Sequence, residues 1–237
     1  MKAMIFSAGL GTRFKPWTDK HPKALAKVSG KTLLQHNIEY LQKHGITEVI
    51  VNVHHFAEQV IEALEKNKGW GSDYQISDER EELLDTGGGM LKAKSLFNPG
   101  ERFLTCNVDI LTDLNIGQLT AHHISQNPLI SFGVSDRKTS RYLLFDDKLR
   151  LSGWRNLNSG EEIIVRGADV LIQRAYSCVA VFEYDVFQYI SLKGKFSLID
   201  LYLQLAKDHL ILGYERRGDK WVDVGRPESV EVAERLF

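Results

Sequence analysis

Met1-Lys2-Ala3-Met4-Ile5-Phe6-Ser7-Ala8-Gly9-Leu10-Gly11-Thr12-Arg13-Phe14 opens the chain, and Pro22-Lys23-Ala24-Leu25 follows closely. The apolar run over residues 3–7 predicts a short buried strand, and the glycines after it predict a tight loop. A loop with few side chains brings its N–H groups close to anionic oxygens. Arg13 inside the loop and Lys23 beyond it add two cations, enough to hold a polyphosphate between them. The opening therefore reads as a strand feeding an anion-gripping loop.

Outward from this loop, the first half alternates strand and helix. Residues 32–43 carry Leu33, Leu34, Ile38 and Leu41 at helical spacing and stop at Gly45. A strand over 48–53, a helix over 58–65, a strand over 74–76, a glycine-opened helix over 87–97 and a strand over 103–108 follow. This βαβα order predicts an α/β fold with a doubly wound, mostly parallel sheet and ligands at the carboxyl ends of its strands. From about residue 129 the rhythm changes. Strands over 129–134, 142–145 and 149–154, with little helix between, predict an antiparallel extension. A strand over 176–182, a helix over 198–207 with Ser197 as N-cap, strands over 211–215 and 221–224, and a helix over 228–237 complete the chain. With no repeat and no low-complexity linker, one domain over 1–237 is the simplest organisation.

Composition narrows the function classes. The 237 residues are 43% hydrophobic and 26% charged, ordinary for a globular protein with a sizeable core. A net charge of −1 argues against a nucleic-acid partner. No apolar run approaches the roughly 20 residues of a membrane span, and the start lacks a signal-peptide pattern, so a cytoplasmic location is expected. Cys106 and Cys178, both in apolar runs, read as buried thiols of a reducing compartment. His54 and His55 are adjacent on a strand end and point to opposite faces, which disfavours chelation of one ion. His122 and His123 fall on an expected solvated helix and receive no role.

Two familiar phosphate loops fit the opening poorly. The dinucleotide fingerprint G-x-G-x-x-G finds Gly9 and Gly11 but Phe14 in its third place, and no acid follows over 26–34. The P-loop pattern G-x-x-x-x-G-K-[ST] is absent. Further along, Asp109 ends the Phe103–Asp109 strand, and Asp223 lies between apolar neighbours in Trp221-Val222-Asp223-Val224-Gly225. A carboxylate flanked by Trp and Val is either costly or in use. Asp85-Thr86-Gly87-Gly88-Gly89 places three glycines at a helix start, where a flat ring could lie against the main chain and free N–H groups are expected.

Taken together, Ser7–Thr18, Pro22-Lys23-Ala24-Leu25, the Thr-Gly-Gly-Gly run, the Asn107-Val108-Asp109 strand end and the Trp-x-Asp-x-Gly-x-Pro-Glu close resemble the sugar-1-phosphate nucleotidyltransferases. The resemblance implies a Rossmann-like, GT-A-type sheet, with 1–125 as the nucleotide-binding half and 126–237 as the sugar-phosphate-binding half. It implies that Asp109 and Asp223 hold one Mg²⁺. Ala8, Gly9, Gly11, Thr12, Arg13, Lys23, Thr86, Gly87, Gly88 and Asn107 would then contact the nucleoside triphosphate, with Glu82 or Asp85 meeting the base. Arg13, Lys23 and Asp109 would be the catalytic groups. The implied reaction is attack of the sugar phosphate oxygen on the α-phosphorus with loss of pyrophosphate, served by positioning and charge stabilisation.

On the acceptor side the chain departs from the family. A Glu-Lys-Pro element, whose lysine meets the sugar phosphate in many members, is replaced by Gly153-Trp154-Arg155-Asn156. Arg155 is the first substitute, Arg137 and Arg141 lie in the same region, and Ser177 sits where relatives place a small residue facing the sugar. The chain is most similar to N-acetylmuramate-1-phosphate uridylyltransferases, with mannose- and heptose-1-phosphate guanylyltransferases nearly as close. A catalytically silent subunit that senses nucleotide-sugars is the reading from another class. Retention of Arg13, Lys23, Asp109 and Asp223 argues against it.

Overall fold

The first strand, β1 (Lys2–Phe6), is buried on both faces, as its unbroken apolar run requires. Ala3 and Ile5 join a core layer with the helix residues Leu33, Ile38, Leu41, Val60 and Leu64. Met4 and Phe6 face the opposite layer, with Met90, Phe103, Phe132 and Tyr202. The computed structural model describes residues 1–215, 218 and 220–237.

After β1 come three short 3-10 turns and a small hairpin, β2 (Lys27–Val28) with β3 (Lys31–Thr32). Helix α1 (Leu33–Lys43) starts at Thr32, whose hydroxyl accepts the Gln35 N–H at 3.1 Å. Then follow β4 (Glu48–Val53), α2 (Ala57–Lys66), β5 (Asp73–Asp78), α3 (Asp85–Lys92) and β6 (Phe103–Asn107). These strands pair in parallel in the order β6-β1-β4-β5. The second half supplies β7 (Ile110–Thr112), α4 (Ile116–Gln126), β8 (Ile130–Ser135), β9 (Arg141–Phe145), β10 (Leu151–Asn156), β11 (Glu162–Ile164), β12 (Ile172–Phe182), α5 (Val186–Tyr189), α6 (Leu198–Leu205), β13 (Ile211–Glu215), β14 (Trp221–Asp223) and α7 (Glu228–Leu236). Ser197 caps α6 in a full capping box with Asp200.

The long strand β12 joins the halves. Its end at Val179–Phe182 runs antiparallel to β6, and its start at Ile172–Arg174 runs antiparallel to β9. Between them the register with β8 shifts, and Cys178 takes a left-handed φ of 60°. One ten-stranded sheet thus runs through both halves, from β11 to β5, with β8 and β13 branching from β12. Cys106 and Cys178 are both free thiols, and burial pushes the Cys106 thiol up to about 12.

Two expectations change. His123 belongs to the buried face of α4, not to a solvated one. Its Nδ1 lies 3.0 Å from Ser131 Oγ and its Nε2 3.2 Å from Glu183, which also pairs with Arg102. The Cβ side of the three glycines of α3 is filled by protein rather than open. A Cβ on Gly87 would come within 2.5 Å of the Phe196 ring, on Gly88 within 2.4 Å of the Gly194 carbonyl oxygen, and on Gly89 within 2.5 Å of Glu79 Oε1. The N–H groups of Gly87 and Gly88, expected to be free, are taken by the Phe196 carbonyl, at 2.9 and 3.1 Å. Gly87 and Gly88 serve close packing of residues 194–197 on the helix start, and Gly89 that of Glu79.

Asn52, at the end of β4, fixes the loop after β1. Its Oδ1 accepts the Ser7 and Ala8 N–H groups at 2.6 and 3.3 Å, while its Nδ2 donates to Glu79 Oε1 at 2.7 Å. Glu79 is fully buried and also accepts the Leu84 N–H at 3.2 Å. Burial holds its carboxyl above the usual range against these hydrogen bonds.

Two outcomes are expected from this packing. Gly88→Ala forces a Cβ against a backbone oxygen and should lower unfolding free energy by about 1–3 kcal/mol in urea titrations. Gly9→Ala, with no atom within 4 Å, should leave stability unchanged. For Glu79 the folded pKa stands above the unfolded one, so ionisation costs stability. That cost is absent below the unfolded value, grows as pH rises through the folded value, and is complete above it. The Tm difference between Glu79→Gln and wild type should therefore shift in favour of the variant as pH rises from about 4 to about 8. An unchanged difference would place the carboxyl at its ordinary value.

Candidate active site

Gly11 closes the first turn of the loop in a left-handed conformation, φ 61°, where a Cβ would meet Thr18 Cγ2 at 2.8 Å. The Gly11 carbonyl accepts from the Thr18 hydroxyl at 2.9 Å and from the Phe14 N–H at 2.7 Å. The chain then turns through a cis Lys15–Pro16 bond and brings Lys23 back beneath the loop. Lys23 is only 8% exposed, and its ammonium lies 2.5 Å from Asp109 Oδ2.

The two carboxylates meet through main-chain pairing. β7 and β14 form an antiparallel ribbon in which Asp223 faces Ile110, and the Val224 N–H donates to the Asp109 carbonyl at 2.8 Å. Gly225 leaves space beside them: a Cβ there would stand 2.6 Å from Asp223 Oδ1 and 2.8 Å from Arg13 Nη2 and displace those groups. Arg13 Nη2 lies 3.8 Å from Asp223 Oδ2, whereas Asp223 Oδ1 is buried without a hydrogen-bond partner.

Burial, and then the charge of Asp109, push the Asp223 carboxyl up; Lys23, Arg13 and Arg137 offset this in part. A buried carboxylate oxygen that lacks a donor beside a second carboxylate has the chemistry to meet a cation. Among the described residues no three His, Cys, Asp or Glu side chains converge. Two carboxylates suit a hard cation that keeps waters and shares phosphate oxygens with its substrate.

Two cavities open at this point. One, of about 330 Å³, runs from the β1 loop to the start of α3 and is lined by Ala8, Gly9, Gly11, Thr12, Lys23, Asn52, Glu79, Asp85, Thr86 and Lys195. The other, of about 800 Å³, is lined by Arg137, Arg141, Tyr142, Trp154, Asn158, Cys178, Trp221 and Asp223. Arg13, Asn107 and Asp109 line both. A ligand in each would meet beside the paired carboxylates, the arrangement a group transfer between two bound molecules needs.

Other sequence-predicted residues lie elsewhere. Gly87 and Gly88 pack behind the first cavity, and the exposed Glu82 is outside its wall, which Asp85 forms instead. Arg155 is outside the second cavity and pairs with Glu162 of β11. Ser177 is 7% exposed, and its carbonyl accepts the Trp221 indole N–H at 3.1 Å. Sequence reading missed Asn52, Glu79, Lys195 and Trp221. Only Trp221 left a signal, two residues before Asp223 and so on the same strand face.

The chain matches the nucleotidyl transferase family over residues 2–143. It is 32% identical to the N-acetylmuramate alpha-1-phosphate uridylyltransferase of Caulobacter vibrioides, across 98% of this chain and 95% of that protein. It is 27% identical to a bifunctional sugar-1-phosphate nucleotidylyltransferase/acetyltransferase of Sulfurisphaera tokodaii, spanning 97% of this chain and 54% of that protein. In fold it is similar to a putative glucose-1-phosphate thymidylyltransferase from Bacillus anthracis, with TM-score 0.82, 16% identity, and 100% and 94% of the two chains covered. A second fold match, HddC from Yersinia pseudotuberculosis with GMP-PN, has TM-score 0.78 and 19% identity, covering 99% and 98%. The chain belongs to the nucleotidyl transferase family, and within it to the sugar-1-phosphate nucleotidyltransferases.

Proposed function

We propose that this enzyme transfers a uridylyl group from UTP to N-acetylmuramate 1-phosphate with Mg²⁺ as cofactor, in the cytoplasm. The observation that carries the chemistry is the Asp109–Asp223 pair at the meeting point of two cavities. The substrate pair is supported by the full-length similarity to the Caulobacter vibrioides enzyme. The orphaned oxygen of Asp223 and the adjoining Asp109 carboxylate fit a divalent ion. Bound there, Mg²⁺ supplies charge neutralisation for the triphosphate.

The rest of the work falls to the chain. Backbone N–H groups of the Ala8–Thr12 loop receive phosphate oxygens. Arg13, more than half exposed at the cavity junction, holds the departing pyrophosphate. Lys23, fixed by Asp109, offsets charge near the α-phosphate. Asn107 lies between donor and acceptor. Ribose and base occupy the end walled by Asp85, Thr86 and Lys195. No side-chain nucleophile is required, because the acceptor phosphate oxygen attacks directly. Among the described residues no helix is long and apolar enough to cross a membrane.

The test is pyrophosphate release with Mg²⁺ across UTP, GTP, CTP, ATP and dTTP, against N-acetylmuramate, glucose, mannose and heptose 1-phosphates. Release is expected to be strongest with UTP and N-acetylmuramate 1-phosphate. Asp109→Ala and Asp223→Asn should each reduce turnover by about 10²-fold or more while remaining folded. Strongest release with GTP and mannose or heptose 1-phosphate would reassign the substrates. Nucleotide binding without release across the panel would make the chain a sensing subunit.

A further inference from the structure

The acceptor-side cavity has three cations in its wall, Arg13, Arg137 and Arg141, and no lysine. Arg13 faces Asp223, and Arg141 is exposed at the rim. Arg137 differs from both. Its guanidinium carbon lies 3.5 Å from the centroid of the Trp221 ring, a stacked position. Its Nη2 donates to the Tyr176 carbonyl at 2.7 Å. Its Nε is buried without a hydrogen-bond partner.

Four other arginines have carboxylate partners. Arg102 pairs with Glu183, Arg150 with Asp146, Arg155 with Glu162 and Arg174 with Glu215. Arg137 has no ion-pair partner among the described residues. Burial pulls its pKa down, yet a guanidinium stays charged. A half-buried positive charge held by a stack and a single carbonyl is costly, and an anionic ligand relieves that cost.

Position identifies the anion. Trp221 and Asp223 are two residues apart on β14 and share a face, so the stack places Arg137 on the side of the carboxylate pair. Arg137, Asp109 and Asp223 all line this cavity. An anion at Arg137 therefore sits beside Asp109 and Asp223. The acceptor phosphate must lie there for its oxygen to reach the α-phosphorus. A carboxylate elsewhere on the sugar has no such requirement.

We propose that Arg137 is the residue that binds the 1-phosphate of the acceptor, the place for which the sequence offered Arg155. Trp221 and the Tyr176 carbonyl fix the guanidinium plane and leave its remaining donors for two phosphate oxygens. The inference deepens the transferase reading and rests on it.

The experiment compares wild type, Arg137→Ala, Arg137→Lys and Arg155→Ala. It measures KM for acceptor and nucleotide, and direct calorimetric titration with N-acetylmuramate 1-phosphate and glucose 1-phosphate. Arg137→Ala should raise acceptor KM about tenfold or more, since a charge-assisted contact is lost, with nucleotide KM within about twofold of wild type. Arg137→Lys should recover part of the loss, being a point charge without the fork. It also serves as the test variant if the alanine variant does not fold. Arg155→Ala should change neither constant. Both acceptors should weaken by similar factors, because the contact is with their shared phosphate.

Loss confined to the carboxylate-bearing sugar, or a loss in Arg155→Ala and not in Arg137→Ala, overturns the assignment. So does equal weakening of nucleotide and acceptor. The titrations need no turnover. Absence of pyrophosphate release with Arg137-dependent binding sinks the transferase reading alone, while absence of sugar-phosphate binding by wild type sinks both.

Discussion

Two carboxylates brought together by a backbone hydrogen bond create the constraint around which this site is arranged. The Val224 N–H to Asp109 carbonyl bond and the β7–β14 ribbon fix Asp223 beside Asp109. Like charges in a partly buried place repel, and the raised Asp223 carboxyl reflects that repulsion together with desolvation. The surrounding cations answer it: Lys23 contacts Asp109, and Arg13 approaches Asp223. Cations in this position also suit the anionic substrates of the family. One arrangement therefore balances the charge of the paired carboxylates and keeps both cations at the junction of the two cavities.

The fold delivers these groups through strand ends. β1 and β6 are parallel neighbours, so the Ser7–Gly11 loop and Asn107–Asp109 emerge side by side at the carboxyl edge. β4, on the other side of β1, ends near Asn52, whose amide ties the loop to Glu79 and so to the start of α3. This chain of buried polar contacts is fully used, which lets a polar network specify geometry at low cost. Gly87 and Gly88 then admit residues 194–197, bringing Lys195 from the second half into the wall of the first cavity.

Legibility in the sequence followed the reach of each interaction. Strand 48–53 and strand 211–215 were readable to the residue, because each is a short apolar run that follows the end of a helix pattern. Arg13, Lys23, Asp109 and Asp223 were readable because each sits in a patterned local segment. β7 and β11, three residues each, were too short to show a period. His123 was misplaced because one histidine beside another does not reveal which faces the core; its partners are Ser131 of β8 and Glu183, just past the end of β12. Asn52, Glu79 and the stacking of Arg137 on Trp221 depend wholly on tertiary approach. The Gly87–Gly89 run was visible, but the contact it serves is set by Phe196, far along the chain.

β12 carries a mechanical consequence. Its two ends are laddered to β6 and to β9, with β8 laddered alongside. The strands behind the two cavities are therefore parts of one continuous hydrogen-bonded plate, and swinging one half over the other would break the ladders of β12. The connections that leave the plate are the Gly9–Thr12 loop, the 136–140 crossing and the 194–197 segment. Substitutions in those connections can reshape the cavity walls without disturbing the strand ends beside Asn107 and Asp109.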